Sequence, residues 1–255
     1  MRNAQELAEG QNVFLEFRGT TSTADLMRPQ AFATALILSS TLAIHTAVHV
    51  IAELGDRGTI VGTHLPPVDL VSRWGHHRTR LARDDVTAAS ALVLAIERVQ
   101  ITDKYHRVGN ALLFYRNGYN SDNPDLALVA FTTCLEGLFS TMEQEISFRL
   151  ALRLAQFLGD TAESRREKYG QCRDVYKVRS KVVHGASVMK SAEAAAIYLV
   201  EGIVPQAEGL ARSALRKIFE LRLETLFDQP KRVEALFEEL LFSDSLHSAL
   251  ARINR

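Results

Sequence analysis

The segment that begins at Asn123-Pro124 constrains this fold more than any other part of the chain. Asparagine is a favoured helix cap because its side-chain oxygen accepts from the free amides of the first turn, and proline fits the first helical position. The helix this pair predicts, roughly 125–142, carries Leu126, Leu128, Val129, Phe131, Leu135, Leu138, Phe139 and Met142. Those residues fall on nearly every side of the helix, which therefore needs neighbours all round and belongs in the middle of a bundle.

The flanking sequence supplies the neighbours. A helix is expected to start near Asp84 or Asp85 and to continue, with a break near Gly109, to about Tyr115. Asn117 to Pro124 reads as a loop rich in turn-forming residues. Further helices are expected over 145–158 (stopping at Gly159), over 161–184, over 192–223 with a kink near Pro205, and over 230–241. The expected fold is therefore all-α. An antiparallel helical bundle spans 84–225, an additional N-terminal helical and connector segment spans 1–83, and a C-terminal helical extension spans 226–255.

The N-terminal segment holds one ambiguous stretch. Residues 31–52 contain no Asp, Glu, Lys or Arg, a length that suffices to cross a bilayer. Thr41, His45, His49 and Glu53 recur every four residues, however, and would line one polar stripe on a helix. The expectation is a buried helix with a narrow wet edge, starting after Pro29 and ending at Gly55, and no membrane span. His45 and His49 also have the i, i+4 spacing of helical metal ligands. No third ligand is evident, so a polar edge is the simpler reading. Residues 55–68 read as a connector with a short extended piece.

Thirty basic side chains balance thirty acidic ones, so no global field draws in nucleic acid. Cys134 and Cys172 both fall in helical stretches, which fits a reducing compartment and buried packing. The first thirty residues carry no secretory signal pattern, and the expected location is the cytoplasm. Charge is uneven locally. Over 161–190 eight basic residues face three acidic ones, a surplus of five that could meet an RNA backbone or simply form a solvated helix face. Arg73, Trp74, His76, His77, Arg78, Arg80 and Arg83 form a second basic cluster.

Chemistry concentrates at Tyr176-Lys-Val-Arg179-Ser180-Lys-Val-Val-His184-Gly185. A histidine moves protons near neutral pH, and an arginine holds a phosphate. Gly185 supplies the left-handed stop that commonly ends a helix. Arg57 and His64 have a comparable spacing, but Gly58 and Gly62 between them rule out a helix that presents both. Five helical steps leave Arg179 and His184 about 140° apart on an ideal helix. A joint site then needs a deformed last turn, a long reach by Arg179, or a groove shared with a second chain. A purely structural reading is also open, with His184 bonding terminal carbonyls and Arg179 pairing with a glutamate such as Glu136.

Arg179-Ser-Lys-Val-Val-His184-Gly185 resembles the signature of the HEPN superfamily of helical ribonucleases, and within it the Apea-like branch. Leu135-Glu136-Gly-Leu-Phe, Leu150-Ala-Leu-Arg153-Leu-Ala and Tyr176 match that branch in order, and the resemblance covers roughly 85–225. It implies a homodimer that joins two Arg–His motifs across one cleft, and RNA cleavage by a ribose 2′-hydroxyl without metal or other cofactor. On this chain His184 would move the proton and Arg179 would hold the phosphate, with Ser180 assisting by hydrogen bonding. Glu136 would orient Arg179. RNA, a second copy and an antitoxin or other protein are the partners this implies, in a setting of bacterial defence or toxin action. A helical module that binds protein, RNA or nucleotide without cleaving is the alternative.

Overall fold

The computed structural model describes residues 23–40, 44–45, 49–54, 60–65, 69–70, 82–141, 146–185 and 202–253. It is an all-α helical bundle with short strands near its N-terminus. The elements run α1 (Thr23–Ser39), β1 (Ile44–His45), β2 (His49–Leu54), β3 (Ile60–Leu65), β4 (Asp69–Leu70), α2 (Arg83–Ile101), α3 (His106–Asn120) and α4 (Pro124–Phe139). They continue with α5 (Ile146–Leu158), α6 (Ala162–Val183), α7 (Ile203–Glu220), α8 (Glu224–Phe227), α9 (Pro230–Leu240) and α10 (Leu246–Ile253).

The Asn123 cap forms as its chemistry requires: the side-chain oxygen accepts from the amides of Asp125 at 2.8 Å and Leu126 at 3.2 Å. From it α4 runs through the centre, packed on α3, α5, α6 and α7. Ala127, Leu128, Phe131, Cys134, Leu135, Leu138 and Phe139 are buried, each large apolar side chain contributing about 1.5–3 kcal/mol. The second central helix is α7, which touches α1 to α6. A buried hydrogen bond ties it to α3: the Tyr115 hydroxyl donates to Glu208 at 2.7 Å, and Arg212 donates to the same carboxylate at 3.1 Å. At the far end of α4 the Phe139 ring meets Phe157, Phe227 and Phe237 at 5.6, 5.6 and 5.9 Å, which joins α5, α8 and α9 to the core.

Two arginines close that end. The last carbonyls of a helix have no partner within it. Arg107 donates to the carbonyls of Gly137, Leu138 and Ser140 at 2.7, 3.1 and 2.8 Å. Arg153 donates to the Phe139 carbonyl at 2.7 Å, to Thr141 at 2.9 Å and to Glu234. Arg153 of the Leu-Ala-Leu-Arg-Leu-Ala segment thus caps the central helix and fastens α9 to it.

Several boundaries differ from those the sequence suggests. No single helix spans 31–52: α1 starts at Thr23, with Pro29 inside it, and ends at Ser39. His45 and His49 lie in strands, so they do not share a helical face. His49–Leu54 pairs antiparallel with Ile60–Leu65, and Ile44–His45 with Asp69–Leu70. Val50, Ile51, Ile60, Val61 and Thr63 are β-branched, and a pleated ladder accommodates them better than a helix does. No helix among the described residues is long and apolar enough to cross a membrane. Arg57 and the cluster from Arg73 to Arg80 lie outside the described residues.

The break between α2 and α3 falls at Thr102–Tyr105, and Gly109 sits inside α3. The same helix runs through Asn117 and Gly118 to Asn120, leaving only a three-residue turn before Pro124. Gly118 is helical for a packing reason: a Cβ there would lie 2.9 Å from the Phe131 ring and 3.1 Å from the Ala127 carbonyl. Pro205 occupies the first turn of α7, where its missing amide breaks no helical hydrogen bond. The part of the expected 192–223 helix before Gly202 lies outside the described residues. The chain also forms α8 and α10, two short helices not expected individually.

Candidate functional site

The α6 helix brings the motif to the bundle surface. Thr161 caps its start by accepting from the Ser164 amide at 3.1 Å. Only Cys172 and Val175 are fully buried along its length. Its regular turns persist to Val183, and His184 is the C-cap. Gly185 has φ +85°, and its amide donates to the Val182 carbonyl at 2.9 Å. The left-handed stop expected after the histidine is present.

Arg179, Glu136 and Tyr176 come together where α6 lies on α4. The Arg179 guanidinium donates to the Glu136 carboxylate at 3.3 Å and lies over the Tyr176 ring, 5.5 Å from its centre. The Tyr176 phenol also lies close enough to Glu136 to feel its charge. Burial raises the Tyr176 phenol above its ordinary value, the Glu136 charge adds to that rise, and Arg179 opposes it. The phenol therefore stays protonated and can donate. The cluster is half-open, with 22% of the Arg179 side chain and 20% of the Glu136 side chain exposed. The buried Nε of Arg179 has no hydrogen-bond acceptor among the described residues.

Ser180 and His184 do not join this cluster. Ser180 is half-buried and His184 exposed, and no side-chain hydrogen bond links either to Arg179 or Glu136 among the described residues. The regular helix preserves the separation of about 140° between Arg179 and His184. Arg179 turns toward α4 while His184 faces solvent, so one chain holds the two halves of the motif on different sides of α6. The structural reading of His184 as a ligand of terminal carbonyls finds no such hydrogen bond among the described residues.

Tyr176, in sequence a flank of the motif, lies beside both charged members. Its position three residues before Arg179 was the available signal, since i, i+3 pairs are neighbours on a helix. The basic surplus of this segment is partly absorbed. Arg165 donates to the Gly159 carbonyl at 3.0 Å, and Lys168 pairs with Glu167 at 3.3 Å. Arg173 donates to the Tyr169 hydroxyl at 3.3 Å with its guanidinium 5.9 Å from that ring. Lys190 lies outside the described residues.

Cys134 and Cys172 are free and buried. Burial pushes both thiols up, Cys172 to about 12, which leaves neither as a thiolate nucleophile near neutral pH. No group of three His, Cys, Asp or Glu side chains able to hold a metal ion occurs among the described residues. Comparisons of the chain with family models, with curated proteins and with solved structures returned no match.

Proposed function

We propose that this chain is a metal-independent endoribonuclease of the HEPN type, working as a homodimer. In this reading a ribose 2′-hydroxyl attacks the adjacent phosphorus and the 5′-oxygen leaves. His184 takes the 2′ proton and returns a proton to the leaving oxygen, giving a 2′,3′-cyclic phosphate and a 5′-hydroxyl. Arg179 holds the phosphate, Glu136 orients Arg179, and Ser180 assists by hydrogen bonding. A second copy supplies the complementary half of the cleft, because Arg179 and His184 of one chain face different ways. The proposed setting is the cytoplasm, in bacterial defence or a toxin system with a cognate protein partner.

The observation that carries this reading is the state of Arg179. It is oriented by a carboxylate and a ring, and 22% of its side chain remains exposed to solvent. The same contacts favour a second reading, a non-catalytic helical module in which Arg179 fastens α6 to α4. End-labelled RNA incubated in EDTA with wild type and with His184→Ala separates the two. Cleavage by wild type alone, leaving cyclic phosphate ends, is expected. Equal cleavage by both proteins would overturn the nuclease. No cleavage by either, with a lower melting temperature for Arg179→Ala, would favour the module.

A further inference from the structure

Arg179 and Glu136 are a looser pair than other arginine–glutamate contacts of this bundle. Arg216 and Arg252 approach Glu220 and Glu239 to 2.6 and 2.7 Å, although these pairs are more exposed. Arg28 grips Glu97 through two nitrogens, at 3.3 and 3.2 Å. Arg212 stays at 3.1 Å from Glu208, whose carboxylate the Tyr115 hydroxyl already holds. Among the described residues Arg179 presents one nitrogen to Glu136, at 3.3 Å, which is neither short nor forked. Solvent does not explain the gap. The two side chains are only 22% and 20% exposed, and less water strengthens the attraction between opposite charges.

Tyr176 stands where the explanation must lie. It precedes Arg179 by three residues on α6, and i, i+3 side chains are neighbours on a helix. The guanidinium lies over its ring at 5.5 Å from the centre, within the range of a cation–π contact. The half-buried phenol feels the charges of both Glu136 and Arg179, so the ring sits at the junction of the pair. A guanidinium drawn onto a ring gives up part of its approach to the carboxylate. The ring uses the flat face of the guanidinium and occupies none of the N–H donors along its edge.

We infer that Tyr176 is a positioning residue whose ring holds Arg179 back from full closure onto Glu136 and so keeps the guanidinium presented to a phosphate. The inference rests on the reading of Arg179 as the phosphate holder, and it adds a residue to which that reading gives no part. A bidentate arginine–carboxylate pair is the stronger resting state. It would also occupy the fork that a phosphate needs, and an incoming phosphate would have to break it first. Glu136 fixes the direction of Arg179, and Tyr176 limits how far the pair can close. Because Tyr176 and Arg179 share one helix, this restraint is built into each chain before any second copy arrives.

Steady-state cleavage of one short end-labelled RNA in EDTA tests this with Tyr176→Phe, Tyr176→Leu and both changes repeated in a Glu136→Gln background. Tyr176→Leu is expected to raise KM about tenfold, the size of one partly buried cation–π contact. Its kcat should stay within about threefold of wild type, because the loss is in holding the phosphate. Tyr176→Phe keeps the ring and should cleave like wild type. In the Glu136→Gln background the amide cannot close on Arg179 as an ion pair, so Tyr176→Leu should change KM by less than about threefold. For variants that cleave poorly, the Kd of the 2′-O-methyl form of the same RNA gives the same comparison. If Tyr176→Leu fails to fold, Tyr176→Met, also without a ring, replaces it. An unchanged KM in Tyr176→Leu would overturn the inference and leave the nuclease. So would a defect in Tyr176→Phe equal to that of Tyr176→Leu, or a Tyr176→Leu defect that persists undiminished beside Glu136→Gln, since a packing role alone predicts that persistence. No cleavage by wild type would remove the nuclease and the inference together.

Discussion

Arg153 and Arg179 stand in similar company and differ in what they leave free. Each reaches a glutamate on another helix, and each lies over an aromatic ring, Phe237 at 5.3 Å and Tyr176 at 5.5 Å. Arg153 has 8% of its side chain exposed and makes three hydrogen bonds, two of them closing the end of α4. Arg179 is more open and, among the described residues, makes one hydrogen bond, at 3.3 Å, with its buried Nε unmatched. A guanidinium has five donors in a fixed fork. When helix carbonyls occupy them the residue is part of the frame. When the pairing is a single ion pair at a half-open surface, the residue is held in place with part of its fork still facing solvent.

The sharpest way to break this comparison is to remove each arginine. Arg153→Ala leaves the carbonyl of Phe139 and the carboxylate of Glu234 without their donor in a largely buried place. The expected loss is about 3 kcal/mol or more, read from the midpoint of urea unfolding. A loss below about 1 kcal/mol would mean that Arg107 alone suffices to close α4.

Alkaline titration probes the frame next. Burial raises the phenols of Tyr115 and Tyr119 and the thiols of Cys134 and Cys172 above their ordinary values of 10.0 and 9.0. The unfolded chain therefore releases these protons at lower pH than the native one. Their contribution is fully present below about pH 9 and is lost as pH rises toward the native values, so the melting temperature should fall progressively above pH 9. A flat profile to pH 11 would show that these groups ionise without unfolding the bundle.

The smallest stability effect belongs to Arg179→Ala, about 1 kcal/mol or less, because its single ion pair is half-exposed. RNA cleavage by the same variant should be lost. A fall in melting temperature as large as that of Arg153→Ala would erase the distinction between the two residues.

Much of the frame was readable in the sequence because it depends on local chemistry. Asn123-Pro124 predicts its own cap, Gly159 and Gly185 mark helix ends, and the all-round apolar pattern of α4 demands a central place. The misplaced boundaries share one cause. Gly109, Gly118 and Pro205 have breaker propensities that short-range reasoning reads as turns. In the fold, Gly118 lets α3 approach Phe131 on α4, and Pro205 falls in a first turn that needs no amide. The stretch 31–52 shows the opposite error: its apolar run reads as one helix, yet His49–Leu54 pairs with a strand lying beyond a connector.

The candidate site divides in the same way. Arg179, Ser180, His184 and Gly185 could be read from one short stretch, because helix geometry alone fixes their spacing and the angle between them. That Glu136, rather than any other acid, meets Arg179 depends on how α6 lies across α4, forty-three residues away in the chain. The paired tyrosines and arginines of α6 are written in sequence as i, i+3 and i, i+4 neighbours. How far each is covered is not, because that requires knowing which side of α6 packs against the bundle: Arg173 is exposed, while Tyr169, Tyr176 and Arg179 are half-buried. Sequence by itself determined the main helices of the bundle and the chemical groups each one carries. Tertiary packing decided which arginines close the frame and which stay partly open, since only the neighbours on adjoining helices determine what each guanidinium meets.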